Sequence, residues 1–388
     1  MFHIATEKEI VEGKVTDVYF LRALEILKAK GINKSVKAEI VVKRFPGRYP
    51  WAVLAGLDEA IELLSTLNVK VSAMPEGTVF YPGEPVMVIE GMYQDFGVYE
   101  TAVLGFLCQA SGIATKAARV RVAAGDKPVV HFGARRMHPA ITPMIDRSAY
   151  IGGCDGVATV VGADLLQISP SGTMPHAMIL LFGDTVEAAK AFDKVLPSDV
   201  GRIVLIDTFQ DEKFEALRVA EALGNKLAAV RLDTPGSRRG DFHAICKEVR
   251  WELNLRGYRD VKILVSGGVD EFSIGQLRDV VDSFGVGTSI SSAPVLDFAL
   301  DIVEIEGKPI AKRGKLSGEK QVFRNKKTGE DIIGSRTDSY GRKYIPLIKP
   351  VLEHGKKLFK QPTVKEIRDY VIQQLKDFNL ELENSERK

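Results

Sequence analysis

The chain has 388 residues, 45% of them hydrophobic and 27% charged, with a formal net charge of +2. That length suits two or three domains, and the composition is ordinary for a soluble globular protein. A near-neutral balance sets up no global field of the kind that gathers nucleic acid, so a nucleic-acid partner is not expected.

Residues 1–35 read as a strand or loop and then a helix, DVYFLRALEILKAK, capped by Asp17 or Thr16 and ended at Gly31. Residues 36–45 alternate as a strand, and WAVLAGLDEAIELLSTL reads as a helix. VKVSAM and TVFYPGEPVMVIEG are short strands, the second interrupted by a Pro-Gly turn. This first stretch is an α+β pattern. From about residue 98 a long Ala- and Leu-rich helix leads into strand–helix alternation that continues to about residue 290. The expected strands are 128–132, 156–159, 177–182 (AMILLF), 202–207, 228–233, 262–268 and 282–289. Apolar strands alternating with amphipathic helices imply a parallel sheet covered by helices. About seven such units suit a closed or nearly closed (β/α) barrel.

The last 88 residues hold 20 Lys/Arg against 14 Asp/Glu, interleaved, which reads as a solvated or interface surface. They contain antiparallel strands around a KTGED turn. A final helix follows, with a Thr363–Glu366 capping box and an apolar stripe of Ile367, Val371, Leu375 and Phe378. Cys108, Cys154 and Cys246 are far apart and form no CxxC pair, so neither a disulfide framework nor a four-cysteine zinc site is expected. There is no secretory h-region and no apolar run approaching about 18 residues. A cytoplasmic protein with no membrane partner is the expectation.

The chemistry gathers at the ends of the expected strands. In order these carry Arg135–Arg136, His176, Asp207, Arg231 with Asp233, Ser266-Gly267-Gly268, and Gly285-Val286-Gly287-Thr288. In a parallel barrel they face one mouth. Arginine forks bind carboxylates and phosphates at two points. Two glycine turns in succession at the end of a barrel suit a phosphate held by backbone N–H groups. Asp207 and Asp233 each end an apolar strand, where a carboxylate needs a cation, a hydroxyl or an arginine; helix capping is the alternative for Asp207. His176, after the Gly172–Thr173 turn, is placed to pass protons near neutral pH. His138 either orients a ligand or packs. The composite reads as a site for an anionic small molecule.

TDVYF, PEGTVFYPGEPVMVIEG, HFGARR, GTMPHA, RLD, SGGVDEF and GVGTS occur in the order found in the type II phosphoribosyltransferases of pyridine nucleotide metabolism. The chain resembles these over nearly its full length, and the archaeal nicotinate phosphoribosyltransferases most. The resemblance implies an irregular (β/α) barrel plus an α/β sandwich built from N- and C-terminal segments. Its boundaries would be 1–115 for the N-terminal sandwich part, 116–295 for the barrel, and 296–388 for a segment that completes the sandwich or forms a small appended domain. It implies transfer of a phosphoribosyl group from phosphoribosyl pyrophosphate (PRPP) to the ring nitrogen of nicotinate, with Mg2+ accompanying PRPP.

Carried over residue by residue, Phe132 would stack on the pyridine ring, and Tyr19 of a partner chain on its other face, in a homodimer or higher oligomer. Arg135 or Arg136 would bind the ring carboxylate or the pyrophosphate, with His138 and Thr173 nearby. Asp207 and Asp233, beside Arg231, would take Mg2+–pyrophosphate and the ribose hydroxyls. Ser266, Gly267 and Gly268 with Gly285, Gly287 and Thr288 would cradle the 5′-phosphate. His176 matches the histidine that is phosphorylated in ATP-coupled members, so ATP is a further cofactor on one of two alternatives. A decarboxylating quinolinate phosphoribosyltransferase (nicotinate-nucleotide pyrophosphorylase) is the nearest alternative. Such relatives carry an extra lysine and a His-Arg pair, whereas this chain has no lysine between Arg136 and Asp155, and CDG where the pair would stand. A barrel lyase or isomerase would want Lys or Glu at a strand end. A non-catalytic sensor of phosphorylated metabolites would not need Asp207, Asp233 and His176 together.

Overall fold

The structure is a computed structural model that describes residues 2–377. It divides into two compact units, 1–118 with 294–388, and 119–293.

The first unit opens with α1 (Glu7–Val11), whose N-terminus carries a Thr6/Glu9 capping box. In α2 (Val18–Ala29) Asp17 occupies the cap position, but its carboxylate accepts the Thr101 hydroxyl at 3.0 Å instead of capping. β1 (Ser35–Val41) and β2 (Ala52–Val53) follow. The helix expected from Trp51 begins only at α3 (Leu57–Ser65). Gly56 is left-handed there, with a Cβ position 2.3 Å from the Phe106 carbonyl oxygen. The backbone N–H groups of Val53 and Ala55 are taken by the hydroxyls of Thr115 and Ser111 at 2.9 and 3.0 Å, which holds this apolar stretch extended. Next come β3 (Lys70–Ala73), β4 (Val79–Phe80), β5 (Pro85–Met92), α4 (Tyr93–Phe96) and α5 (Glu100–Ala124). The boundary between the units falls within α5.

The second unit runs β6 (Val129–His131), α6 (Thr142–Ile151), β7 (Gly156–Val157), α7 (Val160–Leu166), α8 (His176–Phe182) and α9 (Thr185–Val195). It continues β8 (Arg202–Leu205), α10 (Glu212–Leu223), β9 (Leu227–Leu232), α11 (Gly236–Arg239) and α12 (Phe242–Leu255). It ends β10 (Lys262–Val265), α13 (Glu271–Leu277), β11 (Ser283–Val286) and α14 (Thr288–Ser291). The strands form one parallel sheet in the order β7-β6-β11-β10-β9-β8, curled into a half-barrel.

AMILLF corrects the sequence reading: it is helix α8, not a seventh strand. A run of six apolar residues does not distinguish strand from buried helix. Here Pro175 caps the segment, Gly183 ends it at φ 76°, and only Ile179 is buried. Without that strand β7 and β8 do not pair, and the sheet stays open.

The chain then returns to the first unit. β12 (Ala299–Ile305), β13 (Lys308–Pro309), β14 (Lys320–Asn325), β15 (Asp331–Ser335), β16 (Tyr344–Pro346), β17 (Lys349–Glu353) and β18 (Lys356–Lys357) precede α15 (Val364–Asp377). The main sheet has the order β13-β12-β1-β5-β3-β17-β18, so strands from both chain ends share one ladder. Ile40, Leu54, Leu64, Phe80, Met87, Leu107 and Leu296 belong to its common core. β14 and β15 pair around the KTGED turn as read from the sequence. The α15 capping box is present: Thr363 N–H donates to Glu366 Oε2 at 2.7 Å, and Glu366 N–H donates to Thr363 Oγ1 at 3.2 Å. Ile367, Val371 and Leu375 are buried as the stripe requires, and Phe378 lies outside the described residues.

Candidate active site

The ends of β6, β9, β10 and β11 converge in the second unit on a cleft of about 280 Å³. Its walls include Phe132, Arg135, Arg136, Arg231, Asp233, Ser266, Gly267, Gly268, Gly285, Gly287 and Thr288. A second pocket, about 390 Å³, shares Phe132, Arg135, Arg231 and Asp233 and adds Thr173 and His176. Three expected residues line neither cavity: Asp207, which faces His176 from a buried position, Tyr19 and His138. Tyr19 lies on α2 of the other unit, 58% exposed. His138 is exposed, and its Nδ1 accepts the Ala140 N–H at 3.2 Å, closing the turn at 139–141.

Local chemistry explains how each group is held. Gly285 is required by Phe132: a Cβ at 285 would lie 2.4 Å from the Phe132 ring, so the ring rests against bare backbone. The Arg231 guanidinium sits 5.1 Å from that ring's centroid. Its Nε donates to Ser266 Oγ at 2.8 Å and one terminal nitrogen to Thr173 Oγ1 at 2.7 Å; the other stands 3.3 Å from Asp233 Oδ1. Ser266 donates in turn to Asp233 at 2.5 Å. One fork therefore ties β9, the turn after β10 and the segment before α8 together. Gly267 and Gly268 follow at φ 77° and 65°, two consecutive left-handed residues that a side chain would strain.

Asp207 follows β8. Its side chain is 2% exposed, its Oδ2 lies 3.3 Å from His176 Nε2, and its Oδ1 has no hydrogen-bond partner among the described residues. Helix capping does not explain it, because α10 is capped by Asp211. Burial pushes the Asp207 carboxyl above the usual carboxylate range; the facing His176 opposes that shift and Asp233 adds to it. A buried carboxylate oxygen with nothing to accept from suits a cation or a ligand hydroxyl. Among the described residues no cluster of three or more His, Cys, Asp or Glu side chains is arranged to hold a metal. A cation here would take one or two carboxylates and complete its shell with ligand oxygens, as Mg2+ does with phosphates.

Two groups escaped the sequence reading. Arg239 donates to the carbonyls of Ser266 (2.9 Å) and Gly267, bracing the glycine turn from behind. The Arg238–Arg239 pair after the β9 strand end was the available signal. His131 is buried between Asp146 and Ser291, residues 15 and 160 positions away, and nothing in the sequence links them.

Comparison with known proteins agrees with this geometry. The family described as quinolinate phosphoribosyl transferase matches with its N-terminal domain over residues 17–111 and its C-terminal domain over 113–301. A nicotinate phosphoribosyltransferase of Mycobacterium tuberculosis is 30% identical, covering 98% of this chain and 90% of that protein. The crystal structure of a nicotinate-nucleotide pyrophosphorylase from Pyrococcus furiosus superposes with a TM-score of 0.96 at 56% identity, covering 98% of this chain and 99% of the other. Human nicotinic acid phosphoribosyltransferase shares the fold, with a TM-score of 0.72 at 20% identity over 93% of this chain and 94% of its own. With both domains matched in order and a relative aligned nearly end to end, the chain belongs to the quinolinate phosphoribosyl transferase family, alongside nicotinate phosphoribosyltransferases.

Proposed function

We propose that the protein transfers phosphoribosyl from PRPP to the ring nitrogen of nicotinate, forming nicotinate mononucleotide and pyrophosphate. One observation carries the reading: an aromatic ring laid on glycine backbone, arginines, a carboxylate and two glycine turns line one cleft. Phe132 offers the pyridine ring a face, and Arg135 or Arg136 takes its single carboxylate. The turns 266–268 and 285–288 take the 5′-phosphate. The ring nitrogen attacks C1′ with its own lone pair as the bond from C1′ to pyrophosphate oxygen breaks, and the electron pair leaves with pyrophosphate. No general base is needed. The work of the site is to hold two anions in line and stabilise the departing charge.

Mg2+ entering with PRPP would be held by Asp207 and Asp233, and supplies neutralisation of the pyrophosphate charge. The unpartnered Asp207 Oδ1 supports this. His176, against Asp207 and open to the second pocket, is the residue through which ATP would couple to turnover. The partner is a second copy. Val18, Tyr19 and Ile26 on α2, and Leu180, Leu181 and Phe182 on α8, expose apolar area that a homodimer would cover, bringing Tyr19 to the neighbour's site. The archaeal subtype rests on the motifs together with the 56% identity to the Pyrococcus furiosus protein. The cytoplasm is the expected compartment. Among the described residues Cys108, Cys154 and Cys246 form no disulfide with one another, and no helix is long and apolar enough to cross a membrane.

Quinolinate is the second reading, favoured by the name of the Pyrococcus furiosus protein. The arginine pair with no lysine before Asp155 favours the single carboxylate of nicotinate. Incubation with PRPP, Mg2+ and either nicotinate, nicotinamide or quinolinate, each with and without ATP, decides between them. Mononucleotide from nicotinate is expected. Product from quinolinate with CO2 release, or none from any acceptor, overturns the proposal.

A further inference from the structure

His131, Asp146 and Ser291 form a continuous buried chain. His131 Nδ1 lies 2.6 Å from Asp146 Oδ1, and His131 Nε2 lies 2.9 Å from Ser291 Oγ. The side chains of His131 and Asp146 are fully buried, and Ser291 is 1% exposed. The order is that of a nucleophilic triad, but Ser291 is buried and neither it nor His131 lines the cleft or the pocket beside it, so the serine is not presented to either cavity. The chain needs another explanation.

Its position supplies one. His131 ends β6 and immediately precedes Phe132 and the Gly133–Arg136 turn. Ser291 ends α14, the short helix that opens with Thr288 after the second glycine turn. Asp146 lies on α6 and uses its other oxygen to accept the hydroxyl of Thr159, the residue that caps α7. The His131–Ser291 bond therefore bridges the segment that presents the ring face and arginines to the segment that presents the phosphate turn. Gly133 lies directly over that bond. A Cβ there would fall 1.7 Å from Ser291 Oγ and 2.6 Å from His131 Nε2.

We propose that His131, oriented by Asp146 and bonded to Ser291, is a positioning residue that fixes the Arg135–Arg136 turn relative to the 285–288 phosphate turn. This rests on the assignment of those two turns to the acceptor carboxylate and the 5′-phosphate. The two sides are not held equally. Ser291 keeps its place in α14, where Ile290 N–H and Ser291 N–H donate to the Gly287 carbonyl at 3.1 and 3.2 Å, Ser292 donates to the Thr288 carbonyl through its N–H at 2.9 Å and its hydroxyl at 2.6 Å, Ala293 N–H donates to the Ile290 carbonyl at 3.1 Å, and the Ser291 hydroxyl lies 3.4 Å from the Gly287 carbonyl. The arginine turn has its own short bonds, Arg136 N–H to Gly133 O at 3.0 Å and Met137 N–H to Ala134 O at 3.3 Å, plus the Phe132 N–H to Val286 O bond at 2.8 Å before it. Without the His131–Ser291 bond the arginine turn is the side that shifts, and the acceptor loses its place while PRPP keeps its own.

The test is steady-state kinetics of the full chain with each substrate varied, on wild type, Ser291→Ala, His131→Asn and the double variant, with thermal unfolding of each. Ser291→Ala deletes one atom and is the variant least able to unfold the protein. The expected result is a rise in nicotinate KM on the order of 10-fold or more, with PRPP KM within about twofold, since small misplacements of a reacting partner are amplified in rate and affinity. The double variant is expected to be close to His131→Asn, because both single variants remove the His131–Ser291 bond and Ser291→Ala removes besides it only the longer contact of its hydroxyl with the Gly287 carbonyl, at 3.4 Å. A proportional loss in both KM values, additive losses, or kinetics unchanged in Ser291→Ala would overturn the proposal. Wild type run in parallel separates the two levels: no mononucleotide from wild type refutes the substrate assignment and this proposal with it. Product from wild type with an unaltered Ser291→Ala refutes the positioning role alone.

Discussion

Arg231 donates its Nε–H to Ser266 Oγ across 2.8 Å, and this bond locks the end of β9 to the glycine turn after β10. The same guanidinium reaches Thr173 and stands beside Asp233, so one planar fork sets the spacing of three segments. Lysine has the charge but not the fork. Arg231→Lys is expected to lower kcat/KM for PRPP by roughly 100-fold, the scale of a misaligned substrate, while the protein stays folded. Steady-state kinetics with circular dichroism checks both halves. A loss under about threefold would mean the fork does not position PRPP.

Asp207 should trade stability for function. Its raised folded pKa means that stability is fully present below the unfolded value and is lost as pH rises through the folded one, so at neutral pH the protein carries the cost of a buried charge. Asp207→Asn removes that cost. The ligand-free variant is expected to melt higher than wild type at pH 7, by roughly a few degrees, and to lose that advantage at acid pH. Its activity at saturating Mg2+ is expected to fall by about 100-fold, as when one transition-state charge contact is removed. Calorimetry across pH and an Mg2+ titration of rate would check this; a variant that melts lower at neutral pH contradicts the sign.

Glu84 gives a second pH signature, within the first unit. Burial and the neighbouring Asp331 charge push its carboxyl from an ordinary 4.5 up to about 8. In the native state the proton is retained between these values while the unfolded chain has released it. Stability therefore falls as pH rises from the ordinary value through about 8 and is flat above. Glu84→Gln keeps the size and removes the titration. Its unfolding free energy is expected to exceed that of wild type by a few kcal/mol above pH 8 and to match it near pH 4. Urea unfolding at several pH values measures the difference, and parallel curves for the two proteins would refute the assignment.

The legible parts of this molecule were those written locally. The Thr363–Glu366 capping box, the KTGED hairpin and the glycine turns are short-range patterns with one structural solution, and the structure carries each of them. AMILLF was not legible, because its apolar run carries no period and its ends decide it: Pro175 stands at the helix start, Gly183 ends it left-handed, and Leu181 is 88% exposed. The return of the C-terminal segment to the N-terminal part came from the family resemblance, and the pairing of β17 with β3 and of β12 with β1 was not readable, since pairing over more than 200 residues leaves no local trace. In the cleft, residue types at strand ends identified the arginines, carboxylates and glycines. His131 was invisible as a bridge, because both of its partners are distant in sequence and ordinary in composition.

Gly285 tests the ring platform directly. Its backbone is outside the left-handed region, so alanine is conformationally acceptable there. The cost is one contact, the Phe132 ring 2.4 Å from the new methyl, with the Ser266 Cβ next at 3.2 Å. The ring must swing away, and with it the face offered to the acceptor. Gly285→Ala is expected to raise nicotinate KM by about 10-fold, the scale of a lost aromatic contact, and to raise PRPP KM by less, since the Phe132 ring is the nearer group and the one free to swing. Phe132→Leu should produce a similar loss, and adding Gly285→Ala to it should cost less than it does in wild type, since the ring it displaces is already gone. Full additivity of the two substitutions would show that Gly285 acts on the phosphate turn itself and not through Phe132.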